Sequence, residues 1–389
     1  MSVPNRILPV IVLAQFCCTS LWFAGNAVVN DLINDYNLES SALGYLTSLV
    51  QFGFIIGTFL FAIFSISDRF SPSKVFFACA LFGGLINLGI ILENNNLYTL
   101  GFIRFITGFA LAGIYPVGMK IASDYYDKGL GKSLGFLVGA LVLGTAFPHF
   151  LNAFTGTLPW KFVIMTTSFI AILGGALIVL LVPDGPFRKP AQKIKFSVFI
   201  DVFKNKTFKH AAFGYFGHMW ELYTFWAFVP VIIHNFNNRT DAKLNESLFS
   251  FLIIGVGGIA CVAGGYLAQK HGARPIARLA LFISGLCCLL SPFIDVFNSP
   301  YFLISLLIIW GISVIPDSPL FSTLVAQNAP QKNKGTAITI VNSIGFAITI
   351  ISIQLMSFLV QNYNSSLVLL ILAAGPIIGL ISTRTKSLK

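Results

Sequence analysis

The fold is decided by two short polar stretches, SDRFSPSK at residues 67–74 and GYLAQKHGAR at residues 265–274. Each stretch follows one long apolar run and is followed at once by another. A helix needs about 20 apolar residues to cross a hydrocarbon core of about 30 Å, and these runs are long enough. Because the two stretches hold matching positions, they indicate a chain built from two similar halves.

Composition points to lipid as the solvent of this chain. Of 389 residues, 56% are hydrophobic and 10% are charged, whereas soluble domains usually carry about 25% charged residues. The apolar runs predict an all-α polytopic membrane protein with twelve transmembrane helices in two pseudo-symmetric six-helix bundles. The predicted spans are 7–30, 41–65, 74–92, 97–122, 132–153, 161–183, 209–235, 246–269, 276–297, 301–326, 335–360 and 366–384.

The longest polar stretch separates six spans from six. We predict an N-terminal six-helix bundle over residues 1–183, a cytoplasmic basic linker over 184–208 and a C-terminal six-helix bundle over 209–389. Within this linker, basic residues flank an apolar stripe between Phe196 and Phe203, which predicts a short amphipathic helix on the membrane surface.

The net charge of +11 reflects the orientation of the chain in the membrane and gives no reason to expect a nucleic-acid partner. With the N-terminus in the cytoplasm, Lys161, Arg239 and Lys243 fall outside and two cations lie within span four, which leaves 20 of the 25 Lys and Arg inside. This asymmetry follows the positive-inside rule. We expect both termini in the cytoplasm, and the short loops favour a plasma membrane or bacterial inner membrane.

Catalytic and metal-binding classes are not favoured. The six cysteines all lie in apolar runs without metal-ligand spacing, so neither a metal nor a disulfide is expected. The run Gly131–Gly135 fits the G-x-S-x-G pattern of hydrolases, but it begins a membrane helix instead of a strand-to-helix elbow. No ATP-binding motif is present. We therefore expect no enzyme and no cofactor.

The chain resembles a major facilitator superfamily transporter over its whole length. That family's loop signature, G-x-L-A-D-R-x-G-R-[RK], is similar to residues 265–274, in which Gln269 replaces the acidic residue. Span four carries the family's R-x-x-x-G pattern as Arg104 and Gly108. The glycine-rich Gly-Pro motif of antiporters is not present in span five. The resemblance implies two bundles that alternate access to a solute, with these conformational-gate residues: Asp68, Arg69, Gly265, Gln269, Gly272 and Arg274.

Four ionisable side chains inside predicted spans are candidates for substrate binding or ion coupling, because such groups are costly in lipid. Glu221 lies among aromatic residues in span seven, where a carboxyl group can take up and release protons. Asp317 lies between two prolines that break span ten and free backbone groups. Arg104 and Lys120 lie in span four, and an uncompensated positive pair there would favour an anionic or zwitterionic substrate. Lys120 alternatively extends to the cytoplasmic interface.

Further polar and aromatic side chains suit the wall of a solute site. They could equally face lipid or the helix core, and His218 is the only histidine that we consider as a proton relay. The candidates are His218, Trp220, Tyr223, Asn26, Tyr115 and Asn342.

These observations predict a secondary active transporter that moves a small organic solute by alternating access and acts as a monomer. Proton-coupled symport is the leading expectation, and a proton-driven efflux antiporter is the alternative. A membrane sensor or scaffold that does not transport is the rival of another class, although little sequence extends beyond the last span to carry an appended domain.

Overall fold

The computed structural model describes residues 4–126, 130–154, 158–188, 202–329, 334–363 and 365–384, without the side chains of residues 130–132, 334 and 335. Within these ranges the chain forms helices and turns and no strand, so the predicted all-α fold is confirmed. The chain divides into two compact units, unit 1 over Met1–Lys193 and unit 2 over Ile194–Lys389. Most of the predicted linker helix lies outside the described residues.

Unit 1 contains ten described α-helices. Their bounds are α1 Ile7–Thr19, α2 Ala24–Ala27, α3 Val29–Asp35, α4 Ala42–Ile63, α5 Ile66–Arg69, α6 Pro72–Leu88, α7 Leu97–Leu111, α8 Tyr115–Tyr125, α9 Leu130–Phe154 and α10 Lys161–Leu181. Some predicted spans are broken into shorter helices: α1, α2 and α3 belong to span one, and α7 and α8 belong to span four.

Unit 2 contains eight described α-helices and ends in a segment that is partly 3-10 helix, Ser366–Ala373. The bounds are α11 Lys206–Thr240, α12 Glu246–His271, α13 Ala273–Leu290, α14 Phe293–Phe297, α15 Pro300–Ser313, α16 Asp317–Asn328, α17 Lys334–Asn362 and α18 Ala374–Ser382.

The lengths of the apolar helices agree with those expected for a multi-pass membrane protein. Nine helices in the described part of the chain are long and apolar enough to cross a membrane. Two shorter apolar helices, Ile7–Thr19 and Ser366–Ser382, stand where the first and last spans are predicted. The 35-residue α11 covers predicted span seven. Helices therefore occupy every predicted span position, while the count of twelve spans stays a prediction.

Polar residues set where several helices begin. The side-chain oxygen of Asn96 accepts hydrogen bonds from the N–H groups of Tyr98 and Thr99 at the start of α7. Asn205 and Asn245 cap α11 and α12 in the same way. A cap satisfies backbone donors that have no partner within the helix, so these residues fix the ends of the spans.

The two halves share a broken helix at equivalent places. Span four is α7 followed by α8, with a turn at residues 112–114, and span ten is α15 followed by α16, with a break at residues 314–316. Pro116 lies in the first turn of α8 and Pro316 immediately precedes α16. Proline removes a backbone donor and cannot continue a helix, which explains both interruptions. The break predicted beside Asp317 is therefore present.

A glycine allows close helix packing at matching positions in each unit. A Cβ added to Gly108 of α7 would overlap the carbonyl oxygen of Val50 in α4. A Cβ added to Gly311 of α15 would overlap the carbonyl oxygen of Ile253 in α12. Small residues let membrane helices pack backbone to backbone. The internal repeat read from the loops thus extends to the helix packing inside each unit.

Candidate functional site

Span one is interrupted inside unit 1, and Arg104 closes the interruption. α1 ends at Thr19 and α2 begins at Ala24, which leaves carbonyl groups without helical partners. The guanidinium of Arg104 donates to the carbonyl of Leu21 over 3.0 Å and also to the carbonyl of Trp22. Arg104 is buried and forms no ion pair with a described residue. The positive charge of Arg104 therefore interacts with the dipoles of backbone carbonyl groups.

Three buried polar side chains and the half-buried Asn152 lie on α2 and on two helices packed against it, α4 and α9, and we call them the α2 cluster: Asn26, Gln51, His149 and Asn152. Asn26 donates to the hydroxyl of Thr47 over 2.7 Å, and Asn152 donates to the carbonyl of Ala27 over 2.8 Å. Gln51 lies one turn after Thr47, on the same face of α4, and Thr47 is the residue that contacts Asn26 of α2. The cluster places amide and imidazole groups from three helices around one break.

Two members of the α2 cluster carry polar atoms that no described residue satisfies. Both amide atoms of Gln51 and the Nε2 atom of His149 are buried and lack a hydrogen bond to the described part of the chain. A buried polar group without a partner costs about 1–3 kcal/mol. Such atoms imply a small polar guest, either water or a solute.

Lys120 is not part of the α2 cluster and pairs instead with two acidic side chains. Its ammonium lies 2.8 Å from a carboxyl oxygen of Asp68 and 3.6 Å from one of Asp124. Lys120 therefore is not an unpaired cation beside Arg104, and the predicted uncompensated positive pair is not formed. The argument for an anionic substrate that depended on that pair is lost.

The loop of unit 1 that carries the predicted gate residues Asp68 and Arg69 is held by a residue that the sequence analysis placed in the linker. Arg188 donates to the carbonyls of Asp68 and Phe70 over 2.8 and 2.7 Å and pairs with Asp184 at 2.8 Å. Asp184 also accepts a hydrogen bond from Ser71 over 2.6 Å. The end of span six thus holds the loop that contains Asp68, and Arg69 ends the one-turn helix α5.

The predicted gate residues of unit 2 lie where the chain turns from α12 into α13. Gly272 has φ +89°, a conformation that favours glycine, which explains this position of the signature. Gln269 lies in the last turn of α12, and an added Cβ at Gly265 would meet no atom within 4 Å. Arg274 donates to the carbonyl of Thr383 from two nitrogens, over 3.0 and 2.9 Å.

Glu221 is held by donors from two neighbouring helices of unit 2. Its carboxyl group accepts hydrogen bonds from Ser284 over 2.9 Å, Cys288 over 3.3 Å and the indole of Trp310 over 2.6 Å. The side chain is buried. The donors on α13 lie one turn apart, at residues 284 and 288, so the helix presents both to the same carboxyl. The arrangement joins α11, α13 and α15 through one group.

His218 lies one turn before Glu221 and faces Asp317 at the first residue of α16. The Nδ1 atom of His218 is 2.8 Å from the Oδ1 atom of Asp317, and each side chain is 1% exposed. This is ion-pair distance, and the Nε2 atom of His218 has no hydrogen-bond partner among the described residues. The pair is a buried titratable site with unused polar atoms.

The remaining candidates are distributed over both units. Trp220 donates its indole N–H to the carbonyl of Ile371 over 2.9 Å, which gives it a place in the helix packing. Tyr223 packs against Trp226 with ring centroids 5.5 Å apart. Tyr115 begins α8 in unit 1, and Asn342 lies partly buried in α17 of unit 2. The structure brings together His218 and Asp317 and leaves these four outside that pair.

Several partner residues were missed by the sequence reasoning. Ser284 and Cys288 supply two of the three donors to Glu221, and Asn87 lies 3.5 Å from the guanidinium of Arg104. A polar residue every fourth position in an apolar span was the available signal for the first two. Gln51 is not among the candidates given above, and its available signal was a lone amide in the apolar run of span two.

Comparison with known proteins identifies the family to which the chain belongs. The model of the Major Facilitator Superfamily matches residues 11–353. A crystal structure of a mutant of the nucleoside transporter NupG is similar with a TM-score of 0.71 at 14% identity, covering 97% of this chain and 98% of that one. The xylose transporter XylE from E. coli, in a partially occluded inward-open conformation, gives a TM-score of 0.74 at 14% identity, with 96% and 95% covered.

One curated relative is similar over a shorter stretch. The probable galactarate/D-glucarate transporter GudP of Escherichia coli (strain K12) is 28% identical over 111 residues, which is 28% of this chain. The match spans 25% of that relative's length. The family match covers most of the sequence, and both structural neighbours have the same fold. The chain therefore belongs to the major facilitator superfamily and is a multi-pass membrane protein of a transporter family.

Proposed function

We propose that the chain is a secondary active transporter that moves a small polar organic solute across its membrane, driven by a proton gradient. The observation that carries this proposal is the His218–Asp317 pair, buried beside the break in span ten and 2.8 Å apart. Ionisable groups within a membrane protein are costly unless they are paired or used. A pair with unused polar atoms fits use as an ion site.

One proton changes the charge of this pair. With histidine protonated, the two side chains form an ion pair, and loss of the proton leaves a single carboxylate beside a neutral ring. The neighbouring titratable groups are Glu221 on α11, Tyr215 with its ring centroid 6.1 Å from that of His218, and Cys261 of α12. Glu221, one turn after His218 on α11, is the candidate for a second proton carrier, and its three donors hold it in place.

The α2 cluster supplies the proposed solute contacts. Amide groups and an imidazole both donate and accept hydrogen bonds, so Gln51 and His149 suit hydroxyl and carboxylate groups of a small molecule. The local resemblance to the probable galactarate/D-glucarate transporter makes hydroxylated acids the first class to test. Arg104 holds the break in span one and positions the cluster.

Import by symport is the proposed direction, because the glycine-rich Gly-Pro motif of antiporters is missing from span five. The proposed orientation places both termini in the cytoplasm, in agreement with the distribution of Lys and Arg. We propose alternating access as the mechanism and a monomer as the working unit.

The test uses purified protein reconstituted in liposomes. A panel of hydroxylated acids, sugars and amino acids is first ranked by thermal stabilisation, and uptake of each hit is then measured with and without an inward proton gradient. The proposal expects uptake that the gradient drives, and expects Asp317→Asn and His218→Gln to remove the dependence on pH. Uptake that neither the gradient nor these variants alter would overturn proton coupling and favour a uniporter.

The chain offers a matched control for the pair. His234 and Glu246 also lie 2.8 Å apart, but His234 is 47% exposed. His234→Gln removes a histidine from a pair of the same length at the surface and should leave coupled uptake unchanged. A similar loss in His234→Gln would show that the assay detects damage to the fold instead of a coupling site.

A further inference from the structure

A groove on unit 2 combines two arginines with apolar walls. It has a volume of about 510 Å³ and lies between the start of α13 and the helix α18. Arg274 and Arg278 are one helical turn apart, so both guanidinium groups reach the same groove. The rest of the lining is apolar: Pro275, Leu279, Phe282 and Leu380.

The arginines are anchored but not neutralised. Arg278 donates to the carbonyl of Leu380 over 2.8 Å and to the hydroxyl of Thr383 over 3.0 Å. Arg274 donates to the carbonyls of Thr383 and Arg384. Within the described ranges neither arginine forms an ion pair with a carboxylate. These bonds fix the direction of the side chains and leave their positive charge in place.

The charges of unit 2 are separated along its helices. Arg384 adds a third positive charge close to Arg278. The described acidic residues lie elsewhere: Glu221 and Asp317 are buried, and Asp241, Glu246 and Asp295 are at or beyond the far ends of α11, α12 and α13. α12 has 26 residues, which separates its ends by about 39 Å. The groove is therefore at the positive end of the unit.

The apolar wall of the groove faces outward. Leu279 is 54% exposed and Phe282 is 51% exposed, and both belong to the apolar span of α13. Large exposed apolar side chains on a membrane span contact lipid chains. The groove therefore offers cations near the end of a span and an apolar surface that continues from them toward the membrane interior.

We propose that this groove binds the headgroup of an anionic phospholipid. The phosphate lies between the guanidinium groups of Arg274 and Arg278, and an acyl chain runs along Leu279 and Phe282. Arginine presents planar donors that match phosphate oxygens, and basic pockets between membrane helices are suited to acidic headgroups. The proposal concerns unit 2 by itself and does not depend on the identity of the transported solute.

The test measures lipid binding to the full chain in neutral detergent. Retention of phosphatidylglycerol and phosphatidylcholine is compared by native mass spectrometry and by thermal stabilisation. The proposal expects preferential retention of phosphatidylglycerol, roughly fivefold weaker binding in Arg278→Gln, and a smaller loss in Arg278→Lys, which keeps the charge without the planar donors. Arg239→Gln is the matched control, because it removes an arginine from the opposite end of the unit and should leave lipid binding unchanged.

Other outcomes would overturn the proposal. Equal retention of the two lipids would show that no headgroup is recognised, and equal stabilisation by inorganic phosphate would indicate a soluble anion as the ligand. If Arg278→Gln does not fold, the wild-type protein still tests the idea, since added salt must weaken binding of phosphatidylglycerol. Binding that salt does not change would exclude a charged contact.

Discussion

The indole N–H of Trp310 donates to a carboxyl oxygen of Glu221 over 2.6 Å and so connects α15 to α11 inside unit 2. Trp310→Phe should keep the stacking against Phe225, whose ring centroid is 4.6 Å away, and lose only the donor. We expect a lower free energy of unfolding, by about 1–3 kcal/mol, because a buried acceptor loses a partner. Unfolding in detergent, followed by tryptophan fluorescence or calorimetry, measures the change.

A double-mutant cycle separates this bond from general packing. Trp310→Phe and Glu221→Gln should couple, whereas Trp220→Phe should not couple with Glu221→Gln, since Trp220 donates to the carbonyl of Ile371. Coupling energies that are the same for both tryptophans would contradict the assignment.

A second prediction concerns the glycines at the close helix crossings. Gly108→Ala and Gly311→Ala place a methyl group against a backbone carbonyl, so the helices must separate. We expect each to lower the free energy of unfolding by about 1–3 kcal/mol. Gly265→Ala is the control, because its added Cβ meets nothing within 4 Å. A stable Gly265→Ala protein that has lost uptake would support the predicted gate role of Gly265.

A third prediction separates two roles for Arg104. If this residue serves mainly to close the break in span one, Arg104→Gln should destabilise the protein by about 1–3 kcal/mol for each carbonyl left without a donor. Thermal unfolding measures the loss, and Lys243→Gln, which removes an exposed cation, is the surface comparison. A normally stable Arg104→Gln protein with weakened solute binding would instead favour the direct substrate contact predicted from the sequence.

A fourth prediction is a dependence of stability on pH. Partial burial would raise the pKa of Asp295, but hydrogen bonds from Ser366 and Ser365 and the charge of Arg239 outweigh it and lower the pKa. Asp295 lies in α14, beyond the apolar helix Ala273–Leu290 that occupies the position of span nine, whose end was predicted at residue 297. A depressed folded-state pKa adds stability above the unfolded-state pKa of about 4, and this stability is lost as the pH falls through the folded-state pKa.

The melting temperature should therefore fall below about pH 4 more steeply in the wild type than in Asp295→Asn. Equal slopes in the two proteins would show that Asp295 has the same pKa in the folded and unfolded states. Glu39→Gln, which alters a carboxyl group in unit 1, serves as a control for the loss of a carboxylate elsewhere.

The fold could be read from the sequence because span length and loop repeats depend on local composition. Even the break in span ten was predictable, since Pro316 and Pro319 act on their own backbone. Lys120 was only partly predictable: Asp124, one turn later in the same helix, was visible as a partner, but Asp68 lies in another helix that nothing near Lys120 indicates. Such long-range pairing decides whether a buried charge is available for a ligand.

The site was only partly predictable for the same reason. His218 and Asp317 were both candidates, but the distance between them depends on how α11 packs against α16. Arg104 was recognised by its pattern, whereas its partners are backbone carbonyls that exist only because span one is broken. Gln51 gave a weak signal, because one amide in an apolar run is more often a packing residue than a binding one.

The broken first span also constrains how unit 1 is made. Arg104 is 83 residues after Leu21 and emerges from the ribosome only when span four is being synthesised. Until then the carbonyls of Leu21 and Trp22 have no side chain to satisfy them, and bare backbone groups are costly in hydrocarbon. We therefore expect span one to complete its packing only after span four has been inserted beside it.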